Sequence, residues 1–343
     1  MAGGAVRSGV AETLPAADSE LAVTVIIAFH KPDIGLAKRQ IDSILAQAGV
    51  TLSGVAVLDG DETADDAALR DLIAAAGFDV VTNPEPLGVK GAFASGLERA
   101  LAQAGDGQFF CYADQDDDWH VEKLARLAAH AQRSGAALVH CDARVVAEDG
   151  TLIANSLHRY ESRREPNDLL GTLLLNTVTG MTCLFPMMTA RLALALMTQY
   201  NGSFLHDHIT AIAAASIGPQ IYLDEALVDY VQHGGNKIGA KLHQSMARRR
   251  AVGSQHMALY RKTSEAMYQE RRAVAQLLAQ RGLLPRPLQL MFRTGHPAGV
   301  TSMVWAYTRS LFRLFAELDF RRWMLTMRMM DAALFGPRHL HNV

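Results

Sequence analysis

Cysteine is scarce in this chain, with three among 343 residues, at Cys111, Cys141 and Cys183. Each stands in an apolar stretch, and their spacing matches neither a disulfide framework nor a paired CxxC metal site. They read as reduced, structural thiols of a cytosolic protein. A long uninterrupted apolar run is also missing. The longest candidate, residues 169–185, is broken by Asn176 and by several Thr and Gly before Pro186, so it reads as buried protein and not a membrane span. Residues 1–20 are rich in Ala, Gly and Ser but hold no continuous apolar segment, which predicts a flexible tail rather than a secretory leader. No internal repeat or low-complexity tract occurs.

What is present is enough apolar residue, 49% of the chain, to build one large core or two moderate ones. The net charge of −2 conceals a division. Up to residue 240 there are 16 basic and 30 acidic residues, net −14; from residue 241 there are 17 and 5, net +12. The basic part carries no nucleic-acid-binding motif, so an anionic membrane surface is its expected partner and nucleic acid is not. Arg248-Arg249-Arg250, Arg271-Arg272 and Arg321-Arg322 supply the charge, with Trp305, Phe312, Phe320 and Trp323 interleaved later. Arginines that meet headgroups and rings that enter the acyl boundary suit a peripheral membrane contact. Ordinary packing of these helices on the rest of the chain is the alternative.

From residue 21 short β-branched runs alternate with helical patterns. Strands are predicted at 23–27, 55–58, 78–81, 108–112, 137–146, 182–185 and 221–230. Helices are predicted at 33–47, 65–76, 91–104 and 121–134. Continuous apolar strands separated by helices indicate an α/β protein whose mostly parallel, Rossmann-like sheet is covered on both faces. Ligands of such sheets bind beyond the carboxyl ends of the strands. Asp59, Asp114 and Asp116 fall there. The pattern divides into a tail at 1–20, a catalytic domain at 21–240 and a basic helical region at 241–343.

Chemistry concentrates in Asp114-Gln115-Asp116-Asp117-Asp118-Trp119, directly after an apolar strand. Four carboxylates within five residues repel one another unless a cation is present, and the DxD spacing lets two of them reach one divalent ion. A solvated acidic turn with helix capping is the alternative. His206-Asp207-His208 offers a candidate general base, or a helix cap. His233, followed by Gly234 and Gly235, offers a metal ligand on a close-approach turn, or a structural histidine.

In order along the chain, residues 23–29 with His30-Lys31-Pro32, the Asp114 to Trp119 segment, Gly180-Met181-Thr182, His206-Asp207-His208 and the run from Tyr230 to Gly239 resemble the motifs of family 2 glycosyltransferases. The likeness covers residues 22–240 and is nearest the rhamnosyltransferase-like branch. It implies a GT-A nucleotide-diphospho-sugar transferase fold and an inverting, metal-dependent hexosyl transfer. The donor would be a nucleotide sugar, dTDP-rhamnose by branch, and the acceptor a glycan or lipid-linked glycan of the cell envelope. Carried over residue by residue, Ala28, Phe29, His30, Asp59, Lys90, Asp114, Gln115, Gly234, Asn236 and Lys237 would meet the donor. Asp114, Asp116 and His233 would hold Mn2+ or Mg2+, and Asp207 would be the base. Trp119, Gly180, Thr182, His206 and His208 would lie on the acceptor side. Where the family places a second Asp after Asp59, this chain has Gly60, and Asp61 follows. The expected setting is cytoplasmic, peripheral at the inner face of the plasma membrane. A sugar nucleotidylyltransferase is a rival, but residues 28–32 form no Gly-rich phosphate loop. A non-catalytic glycan-binding module with a structural calcium is the other.

Overall fold

The computed structural model describes residues 21–64, 66–163, 165, 168–233 and 256–293, with side chains from residue 266 in the last span. Its strands are β1 Ala22–Phe29, β2 Thr51–Asp59, β3 Asp79–Asn83, β4 Phe109–Ala113, β5 Asp118–Trp119, β6 Leu138–Ala147, β7 Leu152–Ala154, β8 Cys183–Pro186 and β9 Gln220–Gln232. The helices are α1 Ile34–Leu45, α2 Asp61–Ala64, α3 Ala67–Ala76, α4 Gly88–Gln103, α5 Lys123–Ser134, α6 Leu157–Tyr160, α7 Leu169–Leu174, α8 Met187–Gln199, α9 His206–Ile217, α10 His256–Gln280 and α11 Arg286–Met291.

All nine strands form one sheet in the order β3-β2-β1-β4-β8-β6-β9-β5, with β7 added to β6. The first four run parallel, as do β6 and β9, and most of the registered pairs are therefore parallel. The expected α/β architecture of GT-A type is present. β8 enters antiparallel between β4 and β6, which the apolar pattern alone did not indicate, since periodicity carries no strand direction.

Both faces of the sheet are covered, and alternation along β1 shows how. Ile26 joins one core with Val57, Phe93, Leu97, Tyr112 and residues of α8, α9 and α10. Val25 and Ile27 join a second core with residues of α1, α3 and α5. Truncating one such side chain to Ala would cost roughly 2–5 kcal/mol. Asp33 and Asp66 start α1 and α3 by accepting from the Leu36 and Leu69 backbone N–H groups.

Parallel pairing puts four strand ends side by side. Phe29 is level with Leu58, Asp59 with Asn83, and Ile27 with Ala113. His30, Asp59, Asn83 and Asp114 thus share one edge of the sheet. The three cysteines are buried and unpaired. Among the described residues no helix is long and apolar enough to cross a membrane. Of the basic region, α10 contributes Val274, Ala275 and Leu278 to the first core. Arg271 is buried and donates to the Leu174 carbonyl, so for this part of the region the packing alternative describes what is seen.

Candidate active site

Each element delivers one part of the carboxyl edge of the sheet. At the end of β2, Asp59 is 2% exposed and its carboxylate is fully engaged. Oδ1 accepts from Asn83 Nδ2 and the Leu87 N–H at 2.9 Å each, and Oδ2 accepts from the Gly88 N–H at 3.1 Å. It fastens the loop that begins α4. Gly60, where the family has Asp, adopts φ 102°, and a Cβ there would come within 2.9 Å of Pro86 Cγ. The departure thus has a steric cause.

Above β1, His30 Nδ1 contacts the Asp59 carbonyl at 2.9 Å, and its N–H donates to Gln115 Oε1 at 2.9 Å. Lys31, with φ 46°, donates through its N–H to Thr63 Oγ1. The Phe29 ring is buried in the core and Ala28 is partly so, which leaves His30 as the accessible member of that motif. Lys90 does not point along the edge. Its ammonium donates to the carbonyls of Tyr200 and Gly202, at 2.7 and 3.0 Å, tying α4 to the loop before α9.

The acid cluster follows β4. Burial, then the charges of Asp116 and Asp207, push Asp114 up to about 7. Asp117 is fully buried and raised well above the usual carboxylate range by burial, then by Asp114 and Asp116. Its Oδ1 accepts from the Val231 N–H at 3.2 Å, while Oδ2 has no hydrogen-bond partner among the described residues. Asp116 Oδ2 meets His233 Nε2 at 2.7 Å. That contact joins the end of β9 to the acid turn although 117 residues separate the two. Crowded, incompletely satisfied carboxylates beside an imidazole fit a divalent cation chemically: the oxygens suit Mn2+ or Mg2+, and the nitrogen is compatible with Mn2+.

Asp207, in the first turn of α9, reaches the same place and accepts from the His208 N–H at 2.6 Å. Burial raises it to about 6, against the lowering influence of that N–H, Arg163 and Asn176. Its two flanking histidines are buried. His206 is buried, stacked 3.8 Å from Phe93 and edge-on to Tyr112, and burial drives it down to about 3. Gly180 is what admits it, because a Cβ there would sit 2.5 Å from His206 Nε2. His208, lowered to about 4 by burial, contacts the Thr172 carbonyl through Nε2 at 2.7 Å. Thr182 is buried, with its hydroxyl on the Thr179 carbonyl. Trp119 is 5% exposed, with its ring against the Lys123 ammonium. His206 and His208 thus flank Asp207 from within the core, and Thr182 and Trp119 are buried as well. Gly234, Asn236 and Lys237 lie outside the described residues.

Three residues of the site escaped the sequence reading. Lys123 is fully buried, with its ammonium over the Trp119 ring and lowered to about 8 by burial. It is a positive charge close to the acid cluster. The signal was a lone Lys in register with Leu127 and Ala131 on the apolar face of α5. Asn176 and Arg163 both act on Asp207. Asn176 was visible as the polar break in an apolar run, whereas Arg163 lies in a segment with no periodic signature.

Residues 24–194 match the sequence profile described as Glycosyl transferase family 2. No curated protein matches the chain. Similar solved structures include TarS 1–349 from S. aureus in complex with UDP-GlcNAc, 16% identical. The alignment covers 91% of this chain and 82% of that one, at a TM-score of 0.48. The mannosyltransferase PcManGT from Pyrobaculum calidifontis, in complex with GDP-Man and Mn2+, is 17% identical. That alignment covers 95% and 90%, at a TM-score of 0.45.

Proposed function

From the premise that residues 24–194 make this chain a family 2 glycosyltransferase, we propose an enzyme that moves a hexosyl group from a nucleoside diphosphate to a glycan or lipid-linked glycan, with inversion. The observation that carries the reading is the approach of Asp207 to Asp114, close enough for the Asp207 charge to help raise the Asp114 carboxyl. A base from α9 and a metal-ligand candidate from β4 thereby meet at one edge of the sheet.

Asp114 and Asp116, with His233, are the residues that would hold Mn2+ or Mg2+. Bound there, the ion supplies Lewis acidity toward the diphosphate oxygens of the leaving group. Asp207 accepts the proton of the acceptor hydroxyl as that oxygen attacks the anomeric carbon from the side opposite the nucleotide. Its elevation toward neutrality suits this role, because a base matched to working pH is both ionised and basic enough. Arg163 and Asn176 keep the carboxylate oriented, and His208 fixes it through the backbone. His30 and Gln115, joined to each other, line the donor side next to Asp59. No covalent intermediate on the enzyme is required.

Among donors, dTDP-rhamnose is the proposed choice, on the motif resemblance. A screen of nucleotide sugars with manganese, read as nucleoside diphosphate release, tests the whole reading. Release from none of them in the presence of glycan acceptors, or full release in chelator, would overturn it. For the basic rear we propose contact with an anionic leaflet through Arg321 and Arg322, which lie outside the described residues. Binding to anionic vesicles should weaken as salt rises and fall in the double Ser variant; indifference to such vesicles at low salt removes the claim.

A further inference from the structure

Away from the acid cluster, in the mixed half of the sheet, a second group of ligating side chains converges. His140 is fully buried near the start of β6, His158 stands in α6, and Glu165 follows in the next loop. His140 Nε2 lies 3.0 Å from Glu165 Oε2, and His158 Nδ1 lies 3.3 Å from Glu165 Oε1. One ligand atom from each of the three falls within 4.8 Å of the others. A tetrahedral zinc site with bonds of about 2.0 Å requires ligand–ligand separations of about 3.3 Å. The two imidazole–carboxylate contacts, each to its own oxygen of Glu165, are close to that length.

The surroundings support the trio. Thr177 Oγ1 donates to Glu165 Oε2 at 3.0 Å, which orients the carboxylate as outer partners of metal ligands do. The His158 backbone N–H donates to buried Asp142 at 3.1 Å, and Tyr222 stacks on the His158 ring at 4.2 Å, which holds the imidazole in place. A cavity of about 350 Å³ bordered by His158, Glu165 and Tyr222 leaves room for a fourth ligand such as water.

We propose that His140, His158 and Glu165 form a Zn2+ site, separate from the acid cluster, that pins the segment from α6 to Glu165 onto β6. Two imidazoles and one carboxylate with an open position are a donor set that zinc accepts readily. Arg163, whose guanidinium donates to the Thr177 carbonyl and to Thr179 Oγ1, rides on the pinned segment. The ion would therefore also steady the arginine that acts on Asp207.

The test uses the full chain carrying Asp116→Asn, so that zinc at the acid cluster does not obscure the count. After chelator treatment, Zn2+ is added, excess is removed by gel filtration, and retained metal and melting temperature are measured. One zinc per chain and a higher melting temperature are expected. Adding His158→Gln, or separately Glu165→Gln, should weaken zinc binding roughly ten-fold or more and abolish the rise in melting temperature. Circular dichroism of these variants without metal should match the parent. No zinc retained by the Asp116→Asn protein, or zinc binding undiminished from that parent after His158→Gln and after Glu165→Gln, overturns the site. Neither readout involves glycosyl transfer, so the result is independent of the proposed activity.

Discussion

The ends of β2 and β4 each present a carboxylate to the same edge of the sheet, and the fold treats the two in opposite ways. Asp59 is given three hydrogen bonds from the loop before α4. Asp114 is given two further carboxylates, from Asp116 and Asp207, as neighbours. Both are largely removed from water, and burial of a charge is tolerated only when something compensates it. For Asp59 the compensation is complete inside the protein. For the acid turn the protein offers His233 to Asp116 and a buried Lys123, while one oxygen of Asp117 has no partner among the described residues. A satisfied carboxylate holds structure; a crowded one is kept for a cation or a proton.

That contrast predicts which variants lose function and which lose stability. The largest effect should come from the crowded side. Asp207→Asn should lower the chemical step by about 10²-fold or more while donor binding is kept, and Asp116→Asn should remove manganese-dependent nucleotide binding. Both proteins should melt no lower than the parent, because each substitution relieves repulsion between like charges. Turnover within a few-fold of the parent, or a large fall in melting temperature, would erase the distinction.

Asp59→Ala should do the reverse. It leaves two part-buried backbone N–H groups and the buried Asn83 amide without their acceptor, a loss of about 1–3 kcal/mol. Chemical denaturation measures it directly. If Asp59→Ala is as stable as the parent but no longer binds nucleotide, Asp59 belongs with the donor contacts after all and its bonds to the loop are incidental.

The parallel half of the sheet was readable in advance because its strands are continuous apolar runs, and burial on both faces produces that pattern. The strands read at 23–27 and 55–58 are β1 and β2 with their ends trimmed, and the acids after them fall where such sheets bind ligands. The mixed half was less readable. β5 consists of two residues, Asp118 and Trp119, inside what reads as an acidic turn, and it exists because β9 pairs with it. No local pattern encodes a partner supplied 110 residues later. The same holds for the site. Asp114 and Asp116 announce themselves by charge density, whereas the burial of His206 behind Gly180 depends on how α9 lands against β4. Spacing also could not distinguish Lys90 reaching a phosphate from Lys90 holding the loop before α9, since the difference lies in which carbonyls that loop presents.

The smallest effect, and the sharpest probe of the contrast, is the pH dependence of stability in metal-free protein. Asp114 is raised in the fold to about 7 from an ordinary 3.8. Between those values the folded chain keeps a proton that the unfolded chain has released, so this residue's contribution to stability falls as pH rises from about 4 to about 7. Other groups titrate in the same range with both signs. Asp207, also raised, adds to the fall, while His206 and His208, lowered by burial, make stability rise as the pH climbs toward their ordinary value of 6.5. The total curve therefore conceals Asp114, and the difference between the parent and Asp114→Asn isolates it. Measured by denaturation in chelator, the advantage of the Asn variant should grow across that interval and level off above it. Saturating manganese should then reverse the order, because the ion stabilises only a protein that retains its carboxylate ligands. A difference that stays flat from pH 4 to 8 would mean that Asp114 ionises as easily in the fold as in water, and the crowding on which the comparison rests would be absent.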